Sequence, residues 1–299
     1  MFRNSLKICM SLAAAASLAA AADAPVAVAQ TKLSAAEIVD RNVQARGGLA
    51  AWRQVQTMSL EGKMGAGASQ RVTIPQRVPS SRRFGRQAVS QQPVEEVQLP
   101  FLMELKRPRK MRFELQFNGE TAIQVFDGSS GWKLRPFLNR RVIEPFTAEE
   151  TKLASAQADL DGPLVDYAAK GTRVELAGTE KVDGRDTYKL KLTLKGGNTL
   201  HVWIDAQTFL EAKIEGKPRR LDGRDHAVEV YFRDYRRVNG LQIPYVMETK
   251  VLSLGRDARG MLDPPVPVER ITIEKVVVNP KLEESLFARP VTEVASAAK

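Results

Sequence analysis

Side chains suited to chemistry are scarce in this chain: two histidines, His201 and His226, and one cysteine, Cys9, among 299 residues. His201 sits between Leu200 and Val202, on the polar side of an alternating stretch, which predicts a surface residue. Cys9 lies in an N-terminal stretch read below as an export signal, so the exported chain would hold no thiol for a disulfide, a nucleophile or a metal. No HExxH or GxSxG pattern occurs, and Gly65-Ala66-Gly67 lacks the buried strand before it and the helix after it that a phosphate-cradling loop needs. Asp127-Gly128 and Asp222-Gly223-Arg224-Asp225 have the composition of turns, and no pair of carboxylates stands out for acid–base work. The expectation is no enzyme, no cofactor and no metal centre. A hydrolase with an unrecognised site remains the weakest alternative.

What the chain does carry is adaptable apolar surface. Met58, Met64, Met103, Met111 and Met247, with Phe101, Phe113, Phe117 and Phe232, recur on one face of alternating strands. Such side chains fill irregular space and accommodate flexible guests. They would equally make an ordinary core, and composition does not separate the two. A free acyl chain of ~16 carbons exposes ~12 kcal/mol of apolar surface at ~0.8 kcal/mol per CH₂. A protein that moves such a chain through water needs a dry groove of this kind.

The elements that would build the groove follow a secretory signal at 1–29. Arg3 and Lys7 precede an apolar run from Ile8 to Ala22, and Ala27-Val28-Ala29 offers the cleavage site. The formal charge is +10, which suits an anionic lipid surface; export argues against nucleic acid. Ser34-Ala-Ala-Glu37 is a capping box that opens a helix carrying Ile38, Val39 and Val43, and Leu49 to Gln54 reads as a second short helix. Gly62 to Val94 holds Lys63, Arg71, Arg77, Arg82, Arg83 and Arg86 and no acid. It reads either as a mobile hairpin loop or as a cationic arm for an anionic membrane or a protein partner.

Strong alternation then runs through Val97, Leu99, Phe101, Met103 and Leu105, continues at Met111, Phe113, Leu115 and Phe117, and places Ile123 and Val125 next on that face. Ala148 to Ala158, with Thr147 as N-cap, and Leu164 to Ala169 are expected as short helices set into a strand-rich chain. Hairpins follow, with turns at Val182–Arg185 and Asn239-Gly240, and the last strand spans Ile271 to Val277. The list predicts about eleven strands in one antiparallel meander over residues 30–290, with a disordered tail at 291–299.

Lys106-Arg107-Pro108 with Phe113-Glu114, then Val125-Phe126-Asp127-Gly128 with Gly131-Trp132 and Pro136, resemble the LolA family of periplasmic lipoprotein carriers. Ala45-Arg46-Gly47-Gly48 with Trp52, Asp161-Gly162-Pro163-Leu164-Val165-Asp166-Tyr167, Tyr188-Lys189-Leu190, and Asp234-Tyr235 before Asn239-Gly240-Leu241-Gln242-Ile243-Pro244 are similar to its lipoprotein-sorting-protein-like branch. The resemblance implies a mainly β, half-open (unclosed) barrel of about eleven antiparallel strands around plug and lid helices, with a cavity for acyl chains of lipids or lipoproteins. The expected lining is Leu99, Phe101, Met103, Met111, Phe113, Leu115, Leu190, Leu192, Val230, Phe232, Tyr245 and Met247. It implies that Arg107 latches the lid, expected around Ala148–Ala169, by bonding lid-helix backbone. A monomeric periplasmic carrier with membrane-bound donor and acceptor would follow. A regulatory sensor module on the same fold, of the RseB type, is the alternative. The basic arm and the long C-terminal half depart from the compact carrier's pattern.

Overall fold

The structure, a computed structural model, describes residues 33–65, 97–138, 140–221, 223–253, 255 and 266–291. The expected signal at 1–29, the arginines Arg71, Arg77, Arg82, Arg83 and Arg86, and the tail from 292 lie outside the described residues.

Two helices open the described chain. Ser34 caps α1 (Ala35–Ala45) in the expected capping box with Glu37, and α2 (Leu49–Gln54) follows after Gly47-Gly48. The strands are β1 (Thr57–Gly65), β2 (Gln98–Lys106), β3 (Lys110–Phe117), β4 (Glu120–Phe126), β5 (Gly131–Arg135) and β6 (Arg140–Pro145). After α3 (Ala148–Gln157) come β7 (Arg173–Val182), β8 (Arg185–Thr193), β9 (Thr199–Asp205), β10 (Glu211–Glu215), β11 (Arg219–Leu221), β12 (Arg224–His226), β13 (Val228–Val238), β14 (Leu241–Val251) and β15 (Glu269–Val278).

Thirteen strands form a single antiparallel sheet in the order β6-β5-β4-β3-β2-β1-β15-β14-β13-β10-β9-β8-β7, and β11 with β12 makes a separate hairpin. The first and last strands therefore pair in the middle, Met58 opposite Val278 and Met64 opposite Ile271. The two edges, β6 and β7, are joined through α3 and residues 158–172, and they do not pair with each other. The sheet is an unclosed barrel, with thirteen strands rather than about eleven. Among the described residues no helix is long and apolar enough to cross a membrane.

Two expectations change. Leu164 to Ala169 is a run of turns, not a helix: Gly162 and Asp166 adopt φ of 77° and 52°, left-handed conformations that a right-handed helix cannot include. Ile123 and Val125 face the convex side. The two-residue turn at Asn118-Gly119, both with positive φ, sets Met111 opposite Phe126, Phe113 opposite Gln124 and Leu115 opposite Ala122. Arg112, which faces Val125, donates to the carbonyl of Leu286, so the C-terminal turn Glu284–Phe287 covers that outer patch.

The Asp127–Gly131 turn is built by one carboxylate. Asp127 Oδ1 accepts from the amides of Ser129 and Ser130 at 2.8 Å each and from Ser129 Oγ at 2.9 Å. Removing these charge-assisted bonds with Asp127→Ala is expected to lower stability by about 1–2 kcal/mol in a urea titration. An unchanged midpoint would assign the turn to Gly128 alone.

Candidate functional site

The concave face is divided into two halves. On one, α1 and residues 158–167 fill the sheet: Ile38, Val39, Val43, Leu160, Leu164 and Val165 share one buried cluster with Leu190, Leu192, Val202 and Ile204. Leu190 and Leu192 are both fully buried there, so they are core and do not reach a cavity. Asn42 ties α1 down by donating to the Phe209 carbonyl at 2.8 Å.

On the other half a cavity of about 210 Å³ remains between the sheet and α3. Its wall is Leu60 and Met64 of β1, Phe101 and Met103 of β2, Met111 and Phe113 of β3, Met247 of β14, and Ile271 and Ile273 of β15. Phe101 and Phe113 stack with centroids 5.9 Å apart. Gln124 and Gln157, both exposed, form its polar mouth. Taking ~30 Å³ for a water-sized group, the space holds about seven such groups, enough for one medium acyl chain.

The expected lining is thus split. Phe101, Met103, Met111, Phe113 and Met247 line the cavity. Leu115 packs against the core, and Leu99 lies opposite Met64 without lining the space. Tyr245 is buried, with the Arg236 guanidinium 4.3 Å from its ring centroid. Val230 pairs with Ile214, and Phe232 lines a separate depression with Arg185 and Tyr235. Ile271 and Ile273 were legible as a strand but not as wall, because only the β1–β15 pairing brings them beside Leu60 and Met64. Gln124 and Gln157 carried no signal at all. Neither histidine lines the cavity: His201 meets Glu215 at 2.9 Å, and buried His226 meets the Leu252 carbonyl.

Few contacts hold α3 over this space. Within its length it buries one residue, Ala154. Glu150 pairs with Lys133 of β5, Glu149 with Lys217, and Ser155 accepts from Arg109. At its start, Phe146 lies against Gly131 and donates its amide to the Gly131 carbonyl at 2.8 Å.

Beyond α3, several of the motifs converge on Asp161. Arg107 donates Nη2 to Asp161 Oδ2 at 2.7 Å and also reaches the carbonyls of Val55 (Nε, 2.7 Å) and Trp52 (Nη2, 3.1 Å). Lys170 donates to Asp161 Oδ1 at 2.7 Å, to both oxygens of Asp159 and to the Gly162 carbonyl. Arg46 donates to the Asp161 carbonyl at 2.9 Å, with its guanidinium 4.4 Å from the Trp52 ring centroid. Arg107's backbone bonds therefore go to α2, and it meets the segment after α3 through a carboxylate. Burial alone would push the Asp161 carboxyl up; hydrogen bonds from Lys170 and Arg107 outweigh it and hold it at about 2. Asp159 is pushed the other way, by burial and by its neighbour Asp161.

No family model and no curated protein matches the chain. Solved structures do. The LolA superfamily protein NE2245 from Nitrosomonas europaea superposes with a TM-score of 0.50 at 12% identity, over 86% of this chain and 98% of that one. The fold is LolA-like. A DUF1329 family protein from Desulfovibrio piger gives 0.50 at 14% identity, over 85% and 97%. At such identities the likeness is one of fold alone.

Proposed function

We propose that this chain is an exported, non-catalytic carrier that takes acyl chains of lipids or lipoproteins into the cavity beneath α3 and passes them from one membrane site to another. The observation that carries the reading is the cavity itself: nine apolar side chains on an open sheet, roofed by a helix tied mainly through polar contacts at its rim. The exposed Glu149–Lys217 pair is worth about 0–1 kcal/mol and Ala154 is the one residue α3 buries, so apart from the Glu150–Lys133 pair little opposes lifting α3 beside the gain from burying a chain at ~0.8 kcal/mol per CH₂. The present volume admits only part of a ~16-carbon chain, so longer cargo requires α3 to move. Arg107 would then latch the segment that follows the lid, through Asp161. The arginines Arg71, Arg77, Arg82, Arg83 and Arg86 are the proposed contact with an anionic membrane surface, in a periplasmic monomer served by a membrane-bound donor and acceptor.

Native mass spectrometry and lipid extraction of the protein purified from its own periplasm test this. Bound acyl lipid is expected, and Phe113→Asp, which puts a charge in the wall, is expected to abolish it. A uniformly empty wild-type protein would sink the proposal.

A further inference from the structure

We infer that the cavity takes a single-chain amphiphile with an anionic head, and that the head binds Lys133 in place of Glu150. This rests on the acyl-chain reading above and narrows it to a ligand class.

Phe113, Gln124, Lys133 and Glu144 are cross-strand partners in successive ladders of β3, β4, β5 and β6. Directly paired residues share a face, so one row of the concave surface runs from the apolar wall, through the mouth, to charge. Neighbouring strands lie about 4.8 Å apart, which puts the Lys133 backbone one strand from the cavity's Gln124.

Lys133 is only 8% exposed. A buried ammonium without a counter-anion is strongly unfavourable, so some anion must always be present. In the unliganded protein it comes from α3: Glu150 holds Lys133 with both carboxylate oxygens. Glu150 has a second role, however. It closes the α3 capping box by accepting the Thr147 amide at 2.8 Å, and its side chain is 36% exposed. An incoming carboxylate that takes Lys133 therefore leaves Glu150 hydrogen-bonded and hydrated, and leaves no charge orphaned. A neutral head would leave Lys133 with Glu150, and a cationic head would be repelled.

The surroundings favour an anion as well. Arg135 and Arg140 share the one carboxylate of Glu144, at 2.7 and 3.8 Å, and Arg135 Nε is buried without a hydrogen-bond partner. Gln124 and Gln157 add amide donors at the mouth. The volume, about 210 Å³, limits the unlifted cavity to one medium chain.

The test is calorimetric titration of the full chain with octanoate and with octan-1-ol, which match in tail and differ in head charge. Octanoate is expected to bind about three- to tenfold tighter, a part of the worth of one charge-assisted contact, because Glu150 gives up its own contact with Lys133. Lys133→Met should erase that preference, read as the ratio of the octanoate and octanol affinities measured in the same variant. Glu150→Gln keeps the capping box, since glutamine serves at that position, and removes the competing anion; octanoate should then bind several-fold tighter. Equal affinities in the wild type, a preference that survives Lys133→Met, or no gain in Glu150→Gln would each overturn the head-group inference and leave the acyl cavity standing. Failure of both probes to bind would overturn the acyl reading together with it.

Discussion

Arg107→Leu is expected to destabilise the protein by about 3 kcal/mol in urea, the low end for breaking a buried ion pair. Asp161, its side chain 3% exposed, keeps Lys170 but loses the Arg107 guanidinium; the Val55 carbonyl loses the Arg107 donor, and the Trp52 carbonyl keeps only the Val55 amide. In a double-mutant cycle with Asp161→Asn the two losses should be far from additive; additive losses would mean that the pair is incidental. The same substitution should alter the acid limb. The folded-state Asp161 carboxyl is depressed from its usual 3.8 to about 2. Its contribution is therefore complete above pH 3.8 and is lost as pH falls toward 2. Asp159, raised by burial and by Asp161, works in the opposite sense. Wild-type stability should fall between pH 4 and 2, on balance, and Arg107→Leu should flatten that fall. An identical slope would remove Arg107 as a cause of the depression.

Gly131→Ala is expected to cost about 2–3 kcal/mol through overpacking. A methyl group at Gly131 would stand 1.9 Å from Cδ2 and 2.3 Å from Cε2 of Phe146, closer than any real contact. Either the ring leaves or β5 and the start of α3 separate, breaking the Phe146 amide bond to the Gly131 carbonyl. Because Phe146 immediately precedes the Thr147 cap, amide exchange should rise across residues 146–157 as the urea midpoint falls. A midpoint within about 0.5 kcal/mol of wild type, the usual range for an inert surface change, would show that the ring is readily reseated.

Much of the architecture was legible because period-two alternation and capping boxes are local signals. The helices opened by Ser34 and Thr147 formed where their caps placed them, and Asn239-Gly240 turned as such pairs do. The losses came where a non-local fact decides. Ile123 and Val125 are as apolar as a core strand requires, yet the hairpin register sends them outward under the C-terminal turn. Leu190 and Leu192 look like cavity wall in an alternating strand, and only the seat of α1 makes them core. In the site, the Met–Phe face was legible as apolar but side-chain type did not separate cavity wall from core, whereas Lys133, Asp161 and Lys170 are ordinary charges until the fold buries them beside their partners. Their roles depend on partners 17, 54 and 9 residues away, spacings that no helical or strand period marks.

The pairing of β1 with β15 also sets the order in which the sheet can be completed. Met58 meets Val278 across more than two hundred residues, so closure of that ladder must await the last strand to be synthesised. Until then β1 and β14 each present an unpaired edge, the kind of surface that invites misassociation during slow, non-local folding. A chain wired in this way has reason to stay unfolded, or attended by a chaperone, until β15 is free to pair with β1 and β14.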